Sequence, residues 1–188
     1  MVEIPFPITT ERLTLRRFTS EDLPAFYAYQ RLPETARYLL NGPRSYTECM
    51  VRIGQFADAP FEEPGHWASF AVELSTAPGL IGQIALKWGS GGREDPPGPL
   101  ERVGEIGWTL APQAQGRGYA TEAARAVLTL ATGTLGFRRI EARLDARNHA
   151  SAAICERLGM QREAVLLENM YLKGEWTSEA IYATVREN

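Results

Sequence analysis

The string Ala111-Pro112-Gln113-Ala114-Gln115-Gly116-Arg117-Gly118-Tyr119-Ala120-Thr121-Glu122-Ala123 constrains this 188-residue chain more than any other. Residues 103–110 before it alternate as a strand does. Residues 119–135 after it carry Ala120, Ala123, Ala124, Val127 and Ala131 at helical spacing, with Glu122, Arg125, Thr129 and Thr132 on the other face and Gly133 and Gly136 as the stop. A strand thus runs through a glycine turn into a helix. The first-turn N–H groups of such a helix have no intrahelical partners, and its dipole adds positive charge beside them. The result is an anion site suited to a pyrophosphate. Gly116 and Gly118 let the backbone approach a ligand with no Cβ in the way, and Arg117 either adds charge or is solvated. A P-loop would need Lys-Ser/Thr where Tyr119-Ala120 stand, and a dinucleotide fingerprint would need glycine where Thr121 stands. The plainer alternative is a glycine turn that only caps a helix.

Around this unit the periodicity predicts strands at 12–16, 67–74, 79–88, 139–145, 162–172 and 179–185. Helices are predicted from the Thr19-Ser20-Glu21-Asp22 start through Leu23, Phe26, Tyr27 and Gln30, over 46–56 with Met50, Ile53 and Phe56 inward, and over 149–158 with Gly159 as the stop. Lys173-Gly174-Glu175 is a turn candidate. Seven of the eleven residues 89–99 are Gly or Pro, so that stretch is a loop, placed inside one domain because strand signals resume directly after it. The order β-α-α-β-β-β-α-β-α-β-β gives a mixed α/β fold with a mostly antiparallel sheet and a single domain over 1–188.

With 20 basic and 23 acidic residues the formal net charge is −3, which gives no electrostatic reason to expect nucleic-acid binding. No apolar run approaches the ~20 residues of a membrane helix, and Met1-Val2-Glu3-Ile4-Pro5 has no secretory pattern. Two distant cysteines, Cys49 and Cys155, suit a reducing cytoplasm better than a disulfide framework. His66 and His149 form no zinc spacing, so no metal is expected.

Gln113-x-x-Gly116-x-Gly118 with Tyr119-Ala120-Thr121-Glu122-Ala123 resembles the acetyl-CoA motif of the GNAT superfamily of N-acetyltransferases, and more narrowly the branch containing bacterial ribosomal-protein N-terminal (Rim-type) acetyltransferases. Arg12-Leu13-Thr14-Leu15-Arg16 resembles that branch's opening strand, and Gly104-Glu105-Ile106-Gly107-Trp108 its central strand. Asn148-x-x-Ser151 leading to Leu158-Gly159-Met160 resembles its late helix. Glu168-Asn169-x-Tyr171-x-Lys173-Gly174-x-Trp176 and Ile181-Tyr182 resemble its final hairpin. The first motif is specific; the others are weak singly and strong together.

The resemblance implies two central parallel strands, 103–110 and 139–145, splayed to hold acetyl-CoA as co-substrate, with helices flanking the sheet. It places the pantetheine arm along the backbone at Leu110 and Ala111. The pyrophosphate would lie on Gln115, Gly116, Arg117, Gly118, Tyr119, Ala120 and Thr121. Asn148 would contact the arm or cap its helix. Glu105 is the candidate base, acting through water, against a purely structural carboxylate. Many members carry a tyrosine seven residues after the asparagine as acid; Cys155 stands there, read here as a small buried hydrophobe. Ser151, one turn earlier on the same face, is then the candidate proton donor, against a residue that only satisfies backbone. The acceptor pocket would draw on residues 27–40, the 89–99 loop, Tyr171 and Trp176. Trp67, Trp88 and Trp108 are read as core. The implied activity is direct acetyl transfer to an amine, either a small molecule or a peptide N-terminus. Homodimerisation is in keeping with the superfamily. The competing readings are a non-catalytic acyl-CoA-binding module and an interaction protein that reuses the fold.

Overall fold

The computed structural model describes residues 4–89 and 102–186. Eight strands form one sheet: β1 (Ile8–Thr9), β2 (Leu13–Arg16), β3 (Trp67–Leu74), β4 (Ala77–Trp88), β5 (Arg102–Leu110), β6 (Phe137–Asp145), β7 (Gln161–Leu172) and β8 (Glu175–Val185), in the order β1-β2-β3-β4-β5-β6-β8-β7. All pairings are antiparallel except β5 with β6. That parallel pairing runs only from Arg102↔Phe137 to Glu105↔Glu141, so beyond it the two strands part. Among the described residues five helices flank the sheet: α1 (Leu23–Gln30), α2 (Pro33–Ala36), α3 (Tyr46–Ala57), α4 (Tyr119–Thr132) and α5 (His149–Arg157).

Strand alternation sends alternate side chains to two different layers. On one face Leu13, Leu15, Phe70, Val72, Ile84, Leu86, Ile106, Phe137 and Ile140 pack with Ala123, Ala124, Val127 and Ala131 of α4. The small side chains of α4 let it lie close on the sheet beside the β5–β6 opening. On the other face Phe26 and Tyr29 of α1 and Cys49 and Ile53 of α3 close over Phe18, Ala71 and Ala111.

Several elements differ from the sequence expectation for identifiable reasons. Met50 is half exposed, because the inner stripe of α3 is Cys49 and Ile53 and Met50 lies one residue off it. The helix expected to reach residue 135 ends at Thr132, where Gly133 N–H bonds to Thr129 and the chain doubles back so that Leu135 N–H meets Leu130. The last strand begins at Glu175 rather than 179. Lys173 (φ 50°) and Gly174 (φ 89°) make a two-residue turn, which leaves no longer loop. The short β1 and α2 carried too few residues for a periodic signal. The Gly/Pro-rich stretch of 89–99 lies, from residue 90 onward, outside the described residues.

One close approach fixes the exit of β5. A Cβ added at Gly82 would stand 2.6 Å from Thr109 O and 2.8 Å from Leu110 Cα, which are backbone atoms that cannot give way locally. Gly82→Ala is expected to destabilise the fold by about 1–3 kcal/mol. At ~2–4 °C per kcal/mol for a chain of this size, calorimetry should detect the lowered melting temperature. An unshifted melt would contradict this packing of β4 on β5.

Candidate active site

The turn that follows β5 is built by a 3-10 turn at Pro112–Ala114, which directs the chain into Gly116 (φ 72°) and then Gly118 (φ 80°, ψ 0°), the N-cap of α4. Both glycines occupy the left-handed region that L side chains avoid. Ala114 N–H and Gln115 N–H bond back to Ala111 and Pro112, and Glu122 N–H begins the helical ladder on Gly118. Between them, the N–H groups of residues 116–121 have no acceptor among the described residues. They form a row of unspent donors at a helix N-terminus.

Two side chains that sequence reasoning left out or misplaced hold this turn. Glu122 was assigned to the solvent face of α4 by periodicity. It instead accepts from Thr10 Oγ1 at 2.6 Å, from Arg12 N–H at 2.9 Å and from Arg12 Nε at 2.7 Å. Arg12 thereby spans the mouth of the turn: its Nη1 donates to the Arg117 carbonyl at 3.1 Å, and its guanidinium lies over the Tyr119 ring at 4.8 Å. These bonds hold the Glu122 carboxyl below its usual range despite partial burial. The signal was present as a charge pair 110 residues apart, which no local pattern reports. Gln115 turns its amide inward and donates from Nε2 to the Leu110 carbonyl at 3.0 Å. Arg117 itself is exposed.

A cleft of about 600 Å³ opens from this turn toward the gap between β5 and β6. Its lining includes Leu110, Gln115, Gly116, Gly118, Tyr119, Ala120 and Thr121, and with Asn148 eight of the ten expected cofactor positions come together, Ala111 and Arg117 being the two that do not line it. Asn148 and Ser151 of α5 form the opposite wall. Asn148 is the N-cap of α5, its Oδ1 accepting from Ser151 N–H at 3.1 Å, so it caps a helix and faces the cleft at once. Ser151 Oγ accepts from Trp108 Nε1 at 3.2 Å, which leaves its own proton free to donate. Trp108 therefore lines the cleft, and Trp67 is 43% exposed beneath the Lys87 ammonium; of the three tryptophans read as core, only Trp88 is buried there. Cys155 is fully buried, and burial pushes its thiol up to about 12, far from a reactive thiolate.

Glu105 is not in that cleft. It shares the opposite face of the sheet with its register neighbours Lys87 and Glu141. Glu105 and Ser151 thus stand on opposite faces, with the strand gap between them. Burial raises the Glu105 carboxyl above its usual range, although Lys87 and Arg143 pull it down.

The third wall comes from the segment around α2. Glu34, Thr35, Tyr38 and Leu39 line the cleft. Their turn is held from the far end of the chain: Lys173 Nζ donates to the carbonyls of Ala36 at 2.7 Å, Arg37 at 3.0 Å and Leu39 at 2.8 Å. The left-handed hairpin turn thus aims one ammonium at three carbonyls. Tyr171 and Trp176, expected in the acceptor pocket, meet edge to face in the open with centroids 5.4 Å apart. Lys173→Met should free the 36–39 turn and raise the KM for acetyl-CoA, the co-substrate that the resemblance implies, about tenfold, the equivalent of about 1.4 kcal/mol, with a smaller change in kcat. Steady-state kinetics with varied acetyl-CoA would test it; an unchanged KM would mean the turn holds without the ammonium.

Among the described residues no three His, Cys, Asp or Glu side chains gather as metal ligands, and no helix is long and apolar enough to cross a membrane. A mixed sheet parted between two parallel strands, with a glycine turn and helix N-terminus at the mouth of the gap, defines an acyltransferase fold. The chain belongs to the GNAT acetyltransferase family: the family model described as acetyltransferase (GNAT) domain matches residues 12–161. It is 29% identical to the uncharacterized N-acetyltransferase YnaD of Bacillus subtilis (strain 168) over 180 residues, covering 96% of this chain and 97% of that protein. A GNAT-family acetyltransferase from Bacillus anthracis superposes with a TM-score of 0.81 at 26% identity, covering 96% and 98% of the two chains. RimL, a ribosomal L7/L12 alpha-N-protein acetyltransferase solved in complex with coenzyme A, shares the fold with a TM-score of 0.75 at 19% identity, over 95% and 97%.

Proposed function

We propose that this enzyme transfers the acetyl group of acetyl-CoA directly to a primary amine. The observation that carries the reading is the row of unspent N–H donors at residues 116–121, opening on a cleft that leads into the β5–β6 gap. A pyrophosphate suits those donors, and Arg12 adds a cation beside them. An extended pantetheine arm suits the strand edges left unpaired beyond Glu105 and Glu141. Coenzyme A on RimL, a protein of the same fold, supports the same choice of ligand.

In the transfer the amine nitrogen bonds to the thioester carbonyl carbon and the carbon–sulfur bond breaks. The amine gives up one proton, and the departing thiolate takes one. Glu105 is suited to receive the first, through water, since a carboxyl raised by burial is a better base than an exposed one. Ser151 is suited to deliver the second, because Trp108 occupies its acceptor side and leaves its O–H free. A covalent acetyl-cysteine is disfavoured by the protonated, buried Cys155.

Calorimetric titration with acetyl-CoA, with NAD and ATP as controls, followed by measurement of CoA release across a panel of amines, tests the proposal. Selective micromolar binding and amine-dependent release are expected. Binding without release for any amine would leave a binding module instead of an enzyme.

A further inference from the structure

The acceptor must approach from the face of the sheet that carries Glu105, and that face has an unassigned cavity. Gln83, Ala85 and Lys87 of β4 lie opposite Thr109, Gly107 and Glu105 of β5. The middle pair is the smallest, and a Cβ built on Gly107 would meet no atom within 4 Å. Ala85 of this low floor also lines a cavity of about 380 Å³ over β3 and β4, under the end of α3. Arg52, His66, Trp67, Ser69 and Gln83 are among its walls, and no carboxylate is.

Two of these groups are polar and underused. The Arg52 guanidinium lies over the Phe56 ring at 5.2 Å, makes one long bond to Gln55 Oε1 at 3.4 Å, and has no ion-pair partner among the described residues. Burial and the nearby Arg44 both work against its charge. Arg52 is itself exposed, at the rim of the cavity, and its planar fork suits bidentate pairing with a carboxylate. Gln83 Oε1 is sealed from solvent with no donor. A buried acceptor of that kind costs free energy, and turning the Gln83 amide into the cavity would let a ligand N–H satisfy it.

We propose that this cavity takes the far end of the acceptor, and that the acceptor is a short peptide with a free C-terminal carboxylate. Its amine lies over Gly107 beside Glu105, a peptide N–H meets Gln83 Oε1 as that amide turns into the cavity, and its carboxylate pairs with Arg52. Two interstrand spacings separate these ends, about 10 Å, the span of about three extended residues. The proposal rests on the acetyl-transfer reading and names its substrate class.

The test compares triglycine with triglycinamide, which lacks the terminal charge, as acceptors for the full-length enzyme, and measures the binding of each by calorimetry. Wild type should favour triglycine by about tenfold or more in kcat/KM, and Arg52→Gln should bring that ratio toward unity. Arg52→Lys should keep part of it. Turnover of both peptides with no preference overturns the peptide-carboxylate assignment and leaves acetyl transfer standing. Absent turnover with Arg52-dependent triglycine binding supports the site and removes the transfer reading. Absent turnover with no carboxylate-dependent binding overturns both.

Discussion

Replacing Gly118 by glutamate is expected to abolish measurable acetyl-CoA binding, a loss of more than about a hundredfold. Three effects act together. Gly118 sits at φ 80°, where an L side chain is strained by about 1–2 kcal/mol. Its added Cβ would stand 3.4 Å from Arg12 Nη2 and so press on the residue that braces the turn. The new carboxylate would then compete with Glu122 for Arg12, and it would set a negative charge among donors that otherwise await an anion. Gly118→Ala separates these causes, since it keeps the strain and omits the charge; a loss of about tenfold is expected for it. Calorimetric titration of both variants, with circular dichroism as the folding control, decides the matter. Glutamate at this position with undiminished affinity would sink the phosphate-site assignment.

The turn was legible because its information is local. Glycines at 116 and 118, a strand before and a helix after are neighbours in sequence, and the structure places them as neighbours in space. The parallel pair that the resemblance implied is also present: β5 and β6 pair in parallel and are joined by α4. What stayed hidden depends on partners far apart in the chain. Arg12 read only as part of a strand, and Glu122 as part of the polar face of a helix, until the fold brought β2 beside α4. Lys173 read as a turn residue, and its ammonium proves to hold a segment more than 130 positions away. Met50 failed for a smaller reason: one residue of phase on a helix is 100°, enough to turn an apolar side chain from core to solvent.

Glu105→Gln should reduce turnover most in the pH range above the ionisation of the raised carboxyl and below the point where the amine loses its proton. If Glu105 is the base, wild-type activity rises with pH as its raised carboxyl ionises, and it continues to rise as the amine loses its proton. The glutamine variant keeps only the second rise, set by an α-amine near 8 or a lysine near 10.4. A base of this kind contributes about 10²- to 10⁴-fold, so a loss of at least about a hundredfold is expected near pH 6. The loss should shrink at pH above the acceptor amine's own pKa, where the amine is already neutral. Stability provides the control. A carboxyl whose pKa is raised by folding favours the folded state only while protonated, and that advantage is lost as pH rises through the folded-state value. Removing the ionisable group should therefore leave the variant at least as stable as wild type at pH 7 and above. A parallel drop in melting temperature would recast Glu105 as a structural carboxylate bound to Lys87 and Arg143. A uniform loss across the pH range, with stability intact, would remove it as the base and leave it a positioning role beside the acceptor.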